Sequence, residues 1–340
     1  MKTSDFDFGV PRELVAQVPV EPRDSSRLLV LDRKKDKLEH RRFNELPAFL
    51  EEGDALVFND SRVIPARLRG NLHLEPMSEI VIVLLRDLGD HVWEAEVEVG
   101  EVKIADIVDF TGLYGQVIKL GERIGRREER LVHIVISDED ALEKAGEPPV
   151  PPYIHGYKGD PERYQTVYSR IRGSAAAPTA GLHFTDRLLN ELREKGVNLC
   201  FVTLHVGLDT FMPVYEDHPE EHKMYTEYCY LGKEVVEVLQ KTKEMGKRVI
   251  CVGTTSCRTL ETASQNGRLV PFIGPTSLYI LPGYQWKSVD CMITNFHYPS
   301  STNLIMLASF VGLERLRAAY MEAVRLKYRF YSFGDSMLVL

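Results

Sequence analysis

Cysteine is scarce in this 340-residue chain: the five residues, at 200, 229, 251, 257 and 291, form no C-x-x-C pair and leave an odd count. That pattern argues against a disulfide framework, and a reduced, cytoplasmic protein is expected. No run of about 18 apolar residues occurs, so no membrane span is predicted. The opening M-K-T-S-D-F-D-F has no apolar core of the kind a secretory signal carries. Neither G-x-G-x-x-G nor a P-loop is present, which removes ordinary dinucleotide binding and the usual Rossmann methyltransferase site. An excess of positive charge is lacking too, since 42 Lys and Arg against 50 Asp and Glu give a formal net charge of -8. The balance speaks against a simple polycationic nucleic-acid binder. Internal repeats and low-complexity tails are also missing.

The chain is long enough for two domains. From about residue 62 to 137 the texture is β, with V-I-P-A-R-L-R, E-I-V-I-V-L-L-R, H-V-W-E-A-E-V-E-V, D-I-V-D-F, L-Y-G-Q-V-I-K-L and L-V-H-I-V-I-S separated by turn residues. Such short alternating runs predict a small antiparallel barrel. A helix at 138–146 and the proline-rich 148–154, unsuited to helix or central strand, close this segment. Beyond 155 the period changes: helices near 185–195, 232–246, 255–264 and 302–326 alternate with strands near 198–206, 247–253, 277–281 and 289–296. Alternation of this kind predicts an α/β layer with a mainly parallel sheet. R-L-L-V-L at 27–31 and A-L-V-F at 55–58 supply further strands to it, which makes the barrel an insertion. The expected division is 1–61 and 148–340 for an α/β catalytic domain and 62–147 for the inserted barrel.

Ala175–Phe184 (A-A-A-P-T-A-G-L-H-F) is rich in small and turn-forming residues, which suits close approach of the backbone to a ligand, and it delivers His183 at its end. Thr203–Val214 is a strand-like run that carries His205 and breaks at Gly207. A third histidine, His297, ends the strand C-M-I-T-N-F-H beside Asn295. Ends of parallel strands are where α/β sheets place ligand-binding groups, so the three histidines are expected to line one crevice. Taken singly, a histidine in an apolar strand is more often a satisfied core residue than a catalyst, and the glycine-rich settings favour function here. V-G-T-T-S at 252–256 reads as a strand end followed by a helix start, where Thr254 and Thr255 either cap the helix or leave its amides for an anion. His218 and His222 match H-x-x-E-H, the basis of a zinc-hydrolase alternative. Pro219, however, fits only a first helical turn and leaves His218 at the cap, which spoils the shared helix face this motif needs. Tyrosine and phenylalanine are dense at 153–168 and 328–333, for core packing or for stacking on a base. Two basic runs, Arg315 to Arg329 and Arg23 to Arg42, read as solvated faces or as phosphate contacts; on them rests a second alternative, a noncatalytic nucleic-acid-binding module.

Taken in order, F-D-F at 6–8, S-R-L-L at 26–29, N-D-S-R-V-I-P-A-R at 59–67, Y-Q-T-V-Y at 164–168, A-A-A-P-T-A-G-L-H-F, V-G-T-T-S-C-R-T-L-E at 252–261, T-N-F-H-Y-P at 294–299 and Y-R-F-Y-S-F-G-D-S-M at 328–337 resemble the S-adenosylmethionine:tRNA ribosyltransferase-isomerases of the queuosine pathway. The likeness runs end to end and is weak only at about 70–145. So many long words in one order are more specific than any single motif. The resemblance implies transfer and isomerisation of the ribosyl part of S-adenosylmethionine onto a 7-aminomethyl-7-deazaguanine at the tRNA wobble position, giving epoxyqueuosine and releasing adenine and methionine. It implies S-adenosylmethionine as a consumed substrate, with no cofactor and no metal, and a monomer is expected. Proton transfers are expected of His183, His205 and His297, with Asp335 as an orienting carboxylate, and substrate binding of Thr179, Thr254, Thr255, Arg258 and Asn295. The sequence departs from the family pattern at Asp209, Tyr225 and Ser300, where glycine, histidine and lysine are usual.

Overall fold

A computed structural model describes the chain except residues 74–77, 125–128, 148–149, 152, 156, 158 and 208–212. Asp209 therefore lies outside the described residues. Nine strands form one sheet in the order Phe272–Thr276, Glu227–Leu231, Asn198–His205, Ala55–Asn59, Val249–Val252, Cys291–Asn295, Ser336–Val339, Arg27–Asp32 and Lys37–Arg42. The four strands from Asn198–His205 to Cys291–Asn295 run parallel, as do Arg27–Asp32 and Ser336–Val339. The other four neighbouring pairs are antiparallel. The sheet is thus mixed, which corrects the mainly parallel expectation. Asp32 and Lys37 are joined by a tight turn that can only reverse the chain, and the C-terminal strand enters beside Cys291–Asn295 in the opposite sense.

Alternation along the central strands sends side chains to two covered faces. Leu29, Leu31, Val57, Cys251, Met292 and Met337 pack beneath the helices Lys233–Glu244, Thr254–Ala263, Thr302–Val311 and Leu313–Arg325. Leu28, Val30, Phe58, Ile250, Ile293 and Leu338 pack against the helix Asp186–Glu194 and the 3-10 segment Phe43–Phe49. Thr185 Oγ1 starts the former helix by accepting from the Leu188 amide at 3.2 Å. The helix expected over 302–326 is two helices, because Gly312 takes φ +92° and ends the first. The strand expected at 277–281 lies earlier, at Phe272–Thr276. The segment 138–146 forms only a 3-10 turn and one short helix, Leu142–Ala145, after an Asp138 cap.

The barrel is closed and antiparallel, with strands Arg67–Leu72, Glu79–Asp87, Val92–Val99, Glu129–Ile136, Tyr114–Ile124 and Ile107–Asp109 in that spatial order. Closure comes from pairing Asn71 with Asp109 and Leu72 with Val108. Its interior is a separate apolar cluster built on Leu68, Ile82, Leu84, Trp93, Val132 and Ile134. Ser61–Val63 stays outside this closure and pairs with Ile171–Ser174. Among the described residues no helix is long and apolar enough to cross a membrane. All five cysteines are buried free thiols.

Candidate active site

The four consecutive parallel strands of the sheet end together at Asn59, His205, Val252 and Asn295. Asn59 stitches two of these ends: its amide nitrogen donates to the Leu204 carbonyl at 2.9 Å and to Thr255 Oγ1 at 3.2 Å, while its oxygen accepts from the Leu204 amide at 3.0 Å. Over this edge opens a narrow crevice of about 60 Å³, lined by Thr179, Thr254, Thr255, Asn295, His297 and Tyr331 among others. Four of the five expected binding residues therefore meet in one place. Gly253, at φ +87°, occupies the N-cap of Thr254–Ala263, and no side chain caps that helix. Its first amides face the crevice end of the sheet, a setting that favours an anionic group. Tyr153 and Tyr298 add their rings to the same wall, so part of the aromatic density noted in the sequence belongs to the crevice. Tyr164 is core.

A larger cavity of about 530 Å³ separates the sheet edge from the barrel. From the sheet side it is lined by His205, Gly207, Tyr225 and Glu227, and from the barrel by Leu85, Arg86, Trp93 and Glu94. His205 Nδ1 lies 2.8 Å from Ser61 Oγ, and its ring packs on Gly173, where φ is +137° and a Cβ would come within 3.0 Å of Nε2. Burial holds its imidazole below the ordinary histidine range, partly opposed by Asp60 and Asp87. The next residue, Val206, lines the narrow crevice. His205 thus stands at the wall between the two cavities.

Arg258 takes a different position from the one expected of a binding residue. It is 5% exposed and forms a buried ion pair with Glu227, whose other oxygen accepts from the Gly207 amide at 2.8 Å. The pair braces the floor where the two cavities approach.

The three histidines do not share one crevice. His297 lines the narrow one; its Nε2 lies 2.7 Å from Thr294 Oγ1, its amide donates to the Tyr320 hydroxyl at 2.8 Å, and burial pushes its imidazole down to about 4. His183 sits behind Asn295, 4% exposed, with Nδ1 2.8 Å from Ser26 Oγ and Nε2 3.2 Å from Asn295 Nδ2. Burial, with Arg163, Arg23 and Arg329 nearby, lowers its imidazole to about 3. The separation follows from strand geometry: His205 is a residue of its strand, His297 lies two positions past its own, and His183 ends a 3-10 turn packed beneath the sheet. Asp335 is buried away from both cavities and accepts from the Arg27 amide (2.8 Å), Arg27 Nε (3.1 Å) and the Arg329 amide (2.8 Å). It orients the chain entering the last strand.

Pro219–Glu221 is a single 3-10 turn with His218 at its cap, so the H-x-x-E-H histidines share no helix face. His218 Nδ1 lies near the Met1 carbonyl and His222 Nδ1 near Glu216. The basic runs are partly consumed inside the fold: Arg23 and Arg33 each donate to three backbone carbonyls, and Arg325 pairs with Glu322. Of the departures from the family pattern, Ser300 takes φ +54° and its carbonyl accepts from the Val214 amide, while Tyr225 lines the large cavity against the barrel core. Sequence reasoning assigned no role to Ser26, Asn59, Ser61 or Gly173. The words S-R-L-L and N-D-S-R held the first three in plain sight, but nothing local shows that each serine meets a histidine more than a hundred positions away.

The family model described as "Queuosine biosynthesis protein" matches residues 3–339. Proteins named S-adenosylmethionine:tRNA ribosyltransferase-isomerase from Dehalococcoides mccartyi and Clostridioides difficile are 49% and 46% identical, each over 100% of both chains. A crystal structure titled S-adenosylmethionine tRNA ribosyltransferase, from Thermotoga maritima, matches with a TM-score of 0.58 at 36% identity, covering 99% of this chain and 100% of that one. With its barrel, its mixed sheet and its full-length match, this chain belongs to the queuosine biosynthesis family of tRNA ribosyltransferase-isomerases.

Proposed function

We propose that the protein transfers the ribosyl moiety of S-adenosylmethionine to the aminomethyl group of 7-aminomethyl-7-deazaguanine at the tRNA wobble position, isomerises it to the epoxycyclopentane of epoxyqueuosine, and releases adenine and methionine. One observation carries this reading in the geometry: two cavities of different size and chemistry approach each other at His205, the narrow one beside an uncapped helix N-terminus and the wide one open toward the barrel. A two-substrate reaction needs such a pair of neighbouring sites. The helix amides and Thr254, Thr255, Thr179 and Asn295 suit the anionic and polar ends of S-adenosylmethionine. The wide cavity suits an extruded base, for which Trp93, Tyr225 and Tyr228 offer rings.

The chemistry asks for a base to remove a proton made acidic by the adjacent sulfonium and for a proton source for departing adenine. His205 and His297 are the imidazoles at these cavities, and burial lowers both, disfavouring their charged forms and leaving a ring-nitrogen lone pair for proton transfer. S-adenosylmethionine is consumed as a substrate, and the leaving groups it already carries make a metal or redox cofactor unnecessary. In this reading residues 1–61 and 148–340 form the catalytic unit, 62–147 an insertion that builds the far wall of the cleft, and the enzyme works as a cytoplasmic monomer. Incubation with S-adenosylmethionine and precursor-containing tRNA, followed by mass analysis of the digested nucleosides, should give epoxyqueuosine with adenine and methionine released together. Release of S-adenosylhomocysteine would instead show methyl transfer and defeat the reading.

A further inference from the structure

Asn295 is 2% exposed, lines the narrow crevice, and has a carboxamide oxygen that receives no hydrogen bond among the described residues. Its nitrogen is fully engaged. The Tyr331 carbonyl, 3.3 Å away, can only accept, so the amide atom facing it is Nδ2. That same Nδ2 lies 3.2 Å from His183 Nε2, which must then accept as well. The imidazole proton is left on Nδ1, where Ser26 Oγ takes it at 2.8 Å. Phe43 stacks on the ring at 5.0 Å and 27°, which fixes the plane in which its two nitrogens lie. A doubly protonated ring would set an N–H against the amide N–H₂.

We propose that His183 is a neutral positioning residue, protonated on Nδ1, which locks the Asn295 carboxamide so that its oxygen is offered to an N–H donor of the bound substrate. This rests on the crevice as the S-adenosylmethionine site, where two groups have the required chemistry: the 6-amino group of adenine and the α-ammonium of methionine. His183 then touches no reacting atom and carries no proton in the cycle. Its burial, which drives the imidazole to about 3, agrees with a ring that stays neutral at every working pH.

The tautomer is tested first and without substrate. In ¹⁵N-histidine-labelled protein, one resonance pair should show a protonated Nδ1 and an unprotonated Nε2, unchanged between about pH 8 and pH 5, and should vanish in His183→Gln. A protonated Nε2, or titration within that range, overturns the proposal. Kinetics supply the second arm. His183→Leu, which cannot accept, should raise KM for S-adenosylmethionine about tenfold, with kcat within a few-fold and both limbs of the pH profile retained. His183→Gln, whose carbonyl can take over from Nε2, should recover most of that loss. Competition by adenosine and by methionine identifies the donor, since weakening of one alone names the adenine or the ammonium. Weakening of neither overturns the proposal, as does a hundredfold fall in kcat with loss of a pH limb, which would make His183 a proton carrier. If the unaltered protein neither binds nor consumes S-adenosylmethionine, the ribosyl-transfer reading fails while the tautomer result still stands.

Discussion

The sheet and the barrel bury titratable groups of opposite kind. At the sheet edge, His183 and His297 are held without their second proton, at about 3 and about 4, by burial. On the barrel, burial together with Glu98 and Glu129 drives Glu96 up to about 8, so that its carboxyl keeps its proton near neutrality. The linkage signs are therefore opposite. For the two imidazoles the unfolded chain binds more protons below the ordinary histidine value of 6.5, so stability is whole above it and declines as pH falls toward the folded values. For Glu96 the folded chain binds the extra proton, so its contribution is whole below 4.5 and is lost as pH rises through about 8. The contrast shows which half is built around hydrogen-bond acceptors and which around a frame that tolerates crowded acids.

If the sheet edge performs the chemistry, its histidines should matter through rate. His205→Asn and His297→Asn should each lose 10²- to 10⁴-fold in turnover, with little change in melting temperature, as judged by single-turnover kinetics beside calorimetry. Early melting with normal turnover of the folded fraction would place both among the architecture. A smaller effect sharpens the pH contrast. Glu96→Gln should flatten the alkaline loss of stability, read as protection of barrel amides in hydrogen exchange from about pH 6 to pH 9, while the sheet's acid response stays as it was. An unchanged alkaline slope would show that Glu96 is already ionised. The smallest effect lies on the outer surface of the sheet layer, where charge reversal at Arg325 and Lys327 should weaken tRNA binding a few-fold and lower its salt slope by about one or two, sparing S-adenosylmethionine binding. Because Arg325 already pairs with Glu322, an unaltered slope would mean these residues only solvate the helix.

Legibility followed the reach of each signal. The barrel strands were readable because Val92–Val99 and its neighbours alternate cleanly, and the start of the helix Thr254–Ala263 because hydroxyls follow directly on a strand end. Strand direction was not, since period 2 is the same in both senses and the antiparallel placement of Ser336–Val339 depends on a partner some forty positions upstream. The crevice was half readable: Thr179, Thr254, Thr255, Asn295 and His297 came from strand ends and short words. The supporting bonds Ser26–His183 and Ser61–His205 span 157 and 144 positions, a distance at which one sequence carries no trace of contact. The Arg258–Glu227 ion pair was hidden for the same reason, since it joins a helix to a strand 31 positions away.

The strand Ser336–Val339 completes the sheet from its middle, between Cys291–Asn295 and Arg27–Asp32. During synthesis, the hairpin made of residues 27–42 must wait for about 300 further residues before its neighbour exists, roughly 15 to 60 s at ~5–20 residues per second. The barrel, all of whose strands lie between Arg67 and Ile136, has its full set of partners much sooner. The nascent chain therefore passes through a stage in which one finished module is flanked by an open, apolar sheet edge, the interval in which a chaperone has most to do.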